Sequence, residues 1–287
     1  MRIIDSLDEM TETARGWLAG GTVGFVAINS RLHEGHRVLI HAARAASEIV
    51  VVCFLDQTLL FGLNQYDNYY VHDLQHDLRL LGNNNTDIIF LPRREDMYPP
   101  GFSTFVTPLG SVAEHMQQMP DGTSLRTFAT TMTKLFHLVR PDLAFFGQKD
   151  AEQIAVLRQI VHDLHIDVTI RVLSTVREHD GLAMSSRNQR LSTRERQAAA
   201  VLHQTLLQAR EHIEAGERRV MVIEKMIRDC IVAVPLLSVE SITICHPDTL
   251  AALTEITPNT LILVNVRIGI VHLSDNILWM NDGQWRV

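Results

Sequence analysis

The sequence predicts an α/β fold: a doubly wound parallel sheet followed by a smaller α+β unit. Three observations carry this. Short, nearly uninterrupted β-branched and apolar runs recur through the first 175 residues, as in strands covered on both faces. Helical patterns separate those runs, and strand–helix alternation implies parallel strands joined by crossovers. Beyond residue 175 the rhythm changes to two helices and then three strands. Residues 1–175 and 176–287 are therefore expected to form separate domains.

The expected strands of the first domain are residues 23–27, 49–55, 87–91, 143–146 and 167–172, and the helices between them 34–47, 71–81, 127–138 and 151–164. In the second, Ser192 and Glu195 have capping-box spacing and open a helical pattern to about residue 215. A second helix is expected over 220–232. Strands follow at 241–245, 261–268 and 271–277, with Gly269 placed to turn between the last two. Ligands of open parallel sheets bind outside the carboxyl ends of the strands, so those loops matter most.

Composition narrows the class. The 287 residues are 46% apolar and 21% charged, with 26 Lys and Arg against 33 Asp and Glu, a net charge of −7. A mildly acidic chain without a basic block does not suit general nucleic-acid binding. Its longest apolar run, 49–55, falls far short of the roughly 20 residues of a membrane span. The first residues carry acids where a signal peptide would be basic and then apolar. Cys53, Cys230 and Cys245 are odd in number and lack metal-ligand spacing. These features suit a soluble, cytoplasmic protein.

Three constellations could carry chemistry. His33-Glu34-Gly35-His36 follows the first strand and opens a helix. Imidazole donors, free main-chain N–H groups and the positive end of the helix dipole suit a phosphate, and Gly35 permits close approach to the backbone. Half-exposed surface histidines would look the same; a zinc site lacks a third ligand. Gly147-Gln148-Lys149-Asp150 ends a later strand. There Gly147 permits a tight turn, Lys149 can reach phosphate, and Asp150 can accept from a ribose hydroxyl or serve a metal. Gln153 lies one turn along the next helix. The alternative is an ordinary Lys–Asp pair at a helix start. Met184-Ser185-Ser186-Arg187 offers two hydroxyls and a guanidinium that binds two oxygens at once, although a polar linker could share this composition. With no nucleophile–base pair evident, the three sets suggest a nucleoside triphosphate stabilised during in-line attack.

At these motifs the chain resembles the pantothenate synthetase (pantoate–β-alanine ligase) family of the HxGH nucleotidyltransferase superfamily. The likeness extends to 97–102, 134–136, 141–153, 175–178, 180–188 and 247–250, essentially the whole chain. It implies a Rossmann-like nucleotide domain, a smaller mobile lid, a homodimer, and use of ATP with Mg2+. It further implies a carboxylic acid and an amine as substrates, joined through an acyl-adenylate. By matching position, His33, His36, Lys149 and Arg187 would act on the phosphates. Gly35, Gly147, Asp150, Met184, Ser185 and Ser186 would complete ATP binding, and Gln153 would touch the acid. No metal ligands are assigned.

The chain departs from the family where the acid should sit. Ala27-Ile28-Asn29-Ser30 replaces Pro-Thr-Met-Gly, and residues 57–61 replace Asn-Pro-x-Gln-Phe. The family Gln there bonds pantoate and Leu60 cannot. Only Arg126 remains of an Arg-x-Gly-His-Phe-Arg-Gly segment. The expected substrate pocket is therefore Asn29, Gln57, Leu60, Arg126 and Gln153; an acid other than pantoate is expected, with the amine left open and the family's pantoate and β-alanine as the alternative. Alternatives are a catalytically silent nucleotide-binding homologue and a nucleotidyltransferase that stops at nucleotidyl transfer. His41, His72, His76 and His137 are expected on helix surfaces. Asp73 and Asp77, one helical turn apart, are expected on a solvated helix face, the alternative being a metal or amine site, and Cys53 in a strand core.

Overall fold

The computed structural model describes residues 1–17, 20–55, 59, 77, 79, 81, 85–117 and 125–287. Contacts divide the chain into two units, Met1–Phe146 with Val156–Leu173, and Gly147–Ala155 with Ser174–Val287. The main division lies two residues before the expected boundary, and the strip at 147–155 joins the second unit.

The first unit contains β1 (Arg2–Ile4), α1 (Leu7–Gly16), β2 (Val23–Ile28), α2 (Glu34–Ala46), β3 (Ile49–Phe54) and β4 (Ile88–Phe90). After these come α3 (Arg94–Met97), α4 (Ser111–Gln117), α5 (Leu125–Val139) and β5 (Leu143–Gly147), then α6 (Ala151–Asp163) and β6 (Thr169–Leu173). The sheet order is β1-β4-β3-β2-β5-β6. β2 runs parallel to β3 and β5, and β4 parallel to β3 and β1. The connections reverse direction at β2, the switch point at which such sheets bind ligands.

Burial follows the sequence pattern. β3 is buried at every position after its first, and β2 at all but one, as strands covered on both faces require. Two acids sit just before strands and accept from N–H groups near the start of neighbouring strands: Asp142 from Val23 at 2.7 Å and Asp87 from Val50 at 2.8 Å. These bonds satisfy donors that the sheet ladder leaves over. Ser6 caps α1 by accepting from the Glu9 N–H.

The expected helix over 71–81 lies outside the described residues except at 77, 79 and 81. There the solvated face expected for Asp77 is wrong, because its side chain is buried. Asp77 shares one helical face with the buried Leu81 at i+4, whereas Arg79 is exposed. Asp73, His72 and His76 lie outside the described residues. His41 and His137 are exposed, and Cys53 is buried in β3.

The second unit adds α7 (Thr193–Ala199), α8 (Val201–Glu214), α9 (Val220–Val232), β7 (Leu237–Cys245), β8 (Thr260–Ile268), β9 (Val271–Trp279) and β10 (Trp285–Arg286). Its sheet, β10-β9-β8-β7, is antiparallel. Leu202, Leu206, Ala209 and Ile213 of α8, with Ile223, Ile227 and Ile231 of α9, form helical stripes packed with Val264 and Val266 of β8. The Ser192–Glu195 capping box is present, and Gly269 makes the β8–β9 turn at φ +56°. The single helix expected to about 215 is instead two. At Ala200 the backbone tightens to ψ −19°, interrupting the i→i−4 ladder with neither Pro nor Gly to announce it.

Candidate active site

In the first unit, β2 ends at Ile28 and the chain enters α2 through His33, an extended N-cap with φ −141° and ψ 174°. The His33 N–H donates to Nδ1 of His36 at 3.3 Å. The two imidazoles stack with centroids 3.8 Å apart and planes inclined by 22°. A backbone N–H can only donate, so Nδ1 of His36 is the acceptor and its ring carries the proton on Nε2. That Nε2–H and the first main-chain N–H groups of a thirteen-residue helix are donors at the positive end of the dipole, an arrangement suited to phosphate.

Asn29, half-buried, directly follows β2, and Arg126 is exposed near the start of α5 with its guanidinium 4.4 Å from the Phe105 ring centre. Nearby in sequence, the Lys134 ammonium lies 4.7 Å from the Phe102 ring and 5.3 Å from Tyr98, and donates to the Met97 carbonyl. Burial pushes its pKa down. The Tyr98 hydroxyl meets Thr131 Oγ1 at 2.6 Å. Gln57 and Leu60 of the expected substrate pocket lie outside the described residues.

In the second unit, Gly147 leads into a 3-10 turn, Gln148–Asp150. The tight turn does follow Gly147, but it does not draw on glycine's conformational freedom: φ −87° and ψ 139° are extended values open to any residue. A Cβ added to Gly147 would meet nothing within 4 Å, so neither backbone strain nor packing explains the glycine. Lys149 is half-buried and Asp150 exposed. Burial pushes the Lys149 ammonium below the ordinary lysine value; Arg187 and Arg177 act the same way, against Asp150 and Asp275. Gln153 is half-buried in the first turn of α6.

Ser185 caps a second 3-10 turn, Ser186–Arg190, its Oγ accepting from the Arg187 N–H at 3.2 Å. Met184, Ser185, Ser186 and Arg187 are all half-buried. They follow a hairpin closed by Glu178 N–H to Leu182 and Met184 N–H to Val176. At its tip Gly181 has φ +91°, and an added Cβ would lie 2.4 Å from His203 Cδ2, so glycine is required there. Arg177 anchors the hairpin to Asp275 through two bonds of 2.7 and 3.0 Å. Arg196 anchors it again through Glu178 at 2.6 Å and Asp180 at 2.5 Å. Asn188 donates to Glu178 at 2.7 Å and to the Ala183 carbonyl at 3.0 Å, fixing the turn that carries Arg187.

The second unit thus places Asp150 and Arg187 within electrostatic reach of Lys149, on a frame that includes the buried Arg177–Asp275 ion pair. Among the described residues, no group of three or more His, Cys, Asp or Glu could hold a metal ion.

The family model described as pantoate-beta-alanine ligase matches residues 2–278. The chain belongs to this family. The pantothenate synthetase of Heliobacterium modesticaldum is 41% identical over 283 residues, covering 97% of this chain and 99% of the relative. That of Fervidobacterium nodosum is 39% identical over 279 residues, with the same coverage. Among solved structures, the pantothenate synthetase of Thermus thermophilus superposes with a TM-score of 0.86 at 35% identity, over 96% of this chain and 98% of that one.

For a member of the ligase family, the residues that hold this frame are Arg177, Arg196, Asp275 and Asn276, of which only Arg177 stands in a family run, 175–178. One signal was available: Asp275 and Asn276 interrupt a strand flanked by Leu273, Ile277 and Leu278. Buried adjacent polar residues in such a strand need partners, and those partners mark what the strand holds.

Proposed function

We propose that this chain is an ATP-dependent, AMP-forming carboxylate–amine ligase. A substrate carboxylate oxygen attacks the α-phosphorus of ATP. The bond to the β-phosphate breaks, pyrophosphate leaves with the electron pair, and an acyl-adenylate forms. An amine nitrogen then attacks the acyl carbon, sheds a proton, and AMP departs as the amide forms. His33, His36, Lys149 and Arg187 stabilise charge on the phosphates, and Ser185, Ser186 and the main chain at Gly35 and Met184 add donors. Asp150 takes the ribose beside Gly147, where the open space leaves room for a ligand. The observation that carries this reading is the cationic Lys149–Arg187 cluster, built on the Arg177–Asp275 pair inside the second unit. Mg2+ would come with the nucleotide and would neutralise charge on its phosphates; no residue of this chain is assigned to hold it.

Pantoate and β-alanine are the first substrates to test, because the relatives are named for that product. A second reading, another acid with this same chemistry, is favoured by Ser30 and Leu60 standing where the family has its pantoate-side Gly and Gln. A site built to bond a hydroxyl discriminates by factors of about 10⁴ or more, so that loss matters. The smaller unit acts as a lid, and the enzyme works as a cytoplasmic homodimer. Pyrophosphate release and amide formation are measured with pantoate and β-alanine, then with a panel of other hydroxy and simple carboxylic acids. Efficient turnover with pantoate and β-alanine alone removes the second reading. ATP binding without pyrophosphate release for any acid overturns the ligase, and an AMP conjugate that no amine consumes shows a nucleotidyltransferase instead.

A further inference from the structure

Asp275 and Asn276 are adjacent on β9, and both are buried to about 1% exposure. Successive strand residues point to opposite faces, so this pair reaches two different segments. Asp275 takes both guanidinium bonds of Arg177 at 2.7 and 3.0 Å, at the base of the hairpin leading to Ser185, Ser186 and Arg187. Asn276 Nδ2 donates to the carbonyls of Gln148 at 3.0 Å and Lys149 at 3.2 Å. Its Oδ1 accepts from Gln148 Nε2 at 3.0 Å. The Asn276 N–H is itself held by Asp275 Oδ1 at 2.8 Å.

We infer that Asp275 and Asn276 are positioning residues for the adenylation step, setting the spacing between Lys149 and the Ser185–Arg187 turn. The inference rests on the ligase reading above. Both amide hydrogens of Asn276 are used, as is an oxygen lone pair. The two segments are bonded to consecutive residues of one regular strand, so neither can shift without breaking its bonds to the strand that holds the other. Stability alone does not call for this pair. Buried ion pairs are often replaced by well-packed apolar residues without loss, and Leu273 and Ile277 pack the same strand. What the polar pair adds is placement. A displacement of about 1 Å at a reacting geometry costs on the order of a hundredfold in rate.

Asn276→Asp keeps the size and the acceptor but deletes both donors to the Lys149 turn. The expected result is a fall in kcat for pyrophosphate release of about a hundredfold, a KM for ATP changed far less, and an unaltered far-ultraviolet circular dichroism spectrum. Gln148→Met removes only the side-chain bond and keeps Asn276's bonds to the main chain; it is expected to retain most of the activity. Asp275→Asn removes an anion beside Lys149, so the basic limb of the pH–rate profile shifts to lower pH, while the fall in kcat at nearly constant KM is what a merely structural role would not produce. Should Asn276→Asp fail to fold, Asn276→Ser is held to the same kcat criterion. Folded variants with wild-type kcat and an unmoved basic limb overturn the inference alone. Absence of turnover in the wild-type protein with every acid overturns the ligase reading on which it rests.

Discussion

Nδ1 of His36 accepts the backbone N–H of His33 at 3.3 Å while the two rings stack 3.8 Å apart. One histidine therefore holds the other at the helix entrance, and the bond puts the ring proton of His36 on Nε2, the donor suited to a phosphate. His36→Phe preserves a stacking ring but removes both the acceptor and that donor. It is expected to lower the rate of pyrophosphate release by about 10²- to 10³-fold, the usual cost of one preorganised donor to a transition state. Stopped-flow measurement of pyrophosphate checks this, and an unchanged rate would show that His36 only caps α2.

Lys149 carries opposite effects on stability and activity. Burial, reinforced by Arg187 and Arg177, holds its ammonium below the ordinary value of 10.5. A lysine depressed in the folded state costs stability at every pH where both states are protonated. That cost is fully present below the folded value and disappears as pH rises from the folded value to 10.5. Lys149→Met is therefore expected to raise Tm at pH 7, with the gain shrinking at high pH, while pyrophosphate release falls by about 10²-fold or more. Thermal melts between pH 7 and 10 beside the activity assay test both halves.

Gly147 separates ligand contact from fold in a similar way. Its extended backbone and empty Cβ direction accept alanine without strain. Gly147→Ala is expected to stabilise the protein by about 0.4–1 kcal/mol through the unfolded chain. ATP is expected to bind about tenfold more weakly, roughly 1.4 kcal/mol, because the methyl group enters the space assigned to the nucleotide. Titration calorimetry with ATP decides: wild-type affinity would mean that no ligand approaches Gly147.

What was legible in the sequence was what acts locally. His33 and His36, or Ser185 to Arg187, sit on nearby residues at a junction between elements, so short spacing reveals them. The buried runs of β2 and β3 declare a parallel sheet for the same reason. Arg177 and Asp275 are 98 residues apart, and Asn276 is 128 residues from Gln148; no local pattern announces such a pairing. β1 escaped notice because its three residues bury only Ile4, so the alternation that marks a strand never develops. Asp77 misled because an aspartate on a helix is ordinarily solvated, and the buried face shared with Leu81 is set by packing.

The Arg196 clamp gives the hairpin an acid-sensitive support. Arg196 bonds Asp180 and Glu178, with side-chain exposures of 20%, 28% and 29%. The hydrogen bonds from Arg196 hold the Asp180 carboxyl at about 2, below its ordinary 3.8. A depressed carboxylate contributes stability that is complete above the unfolded value and lost as pH falls through the folded one. The support therefore operates at neutral pH and fades between about 3.8 and 2. Arg196→Ala is expected to cost about 1–2 kcal/mol at pH 7 after allowance for solvent screening, and to cost progressively less through that acid window. Asn188 links Glu178 to the turn bearing Arg187, so the same variant is expected to raise the KM for ATP by several-fold. Urea titrations at pH 7 and pH 2.5, run beside ATP kinetics at pH 7, separate the two effects. An equal stability loss at both pH values would mean that Arg196 acts through packing of its stem on the hairpin, not through the carboxylates.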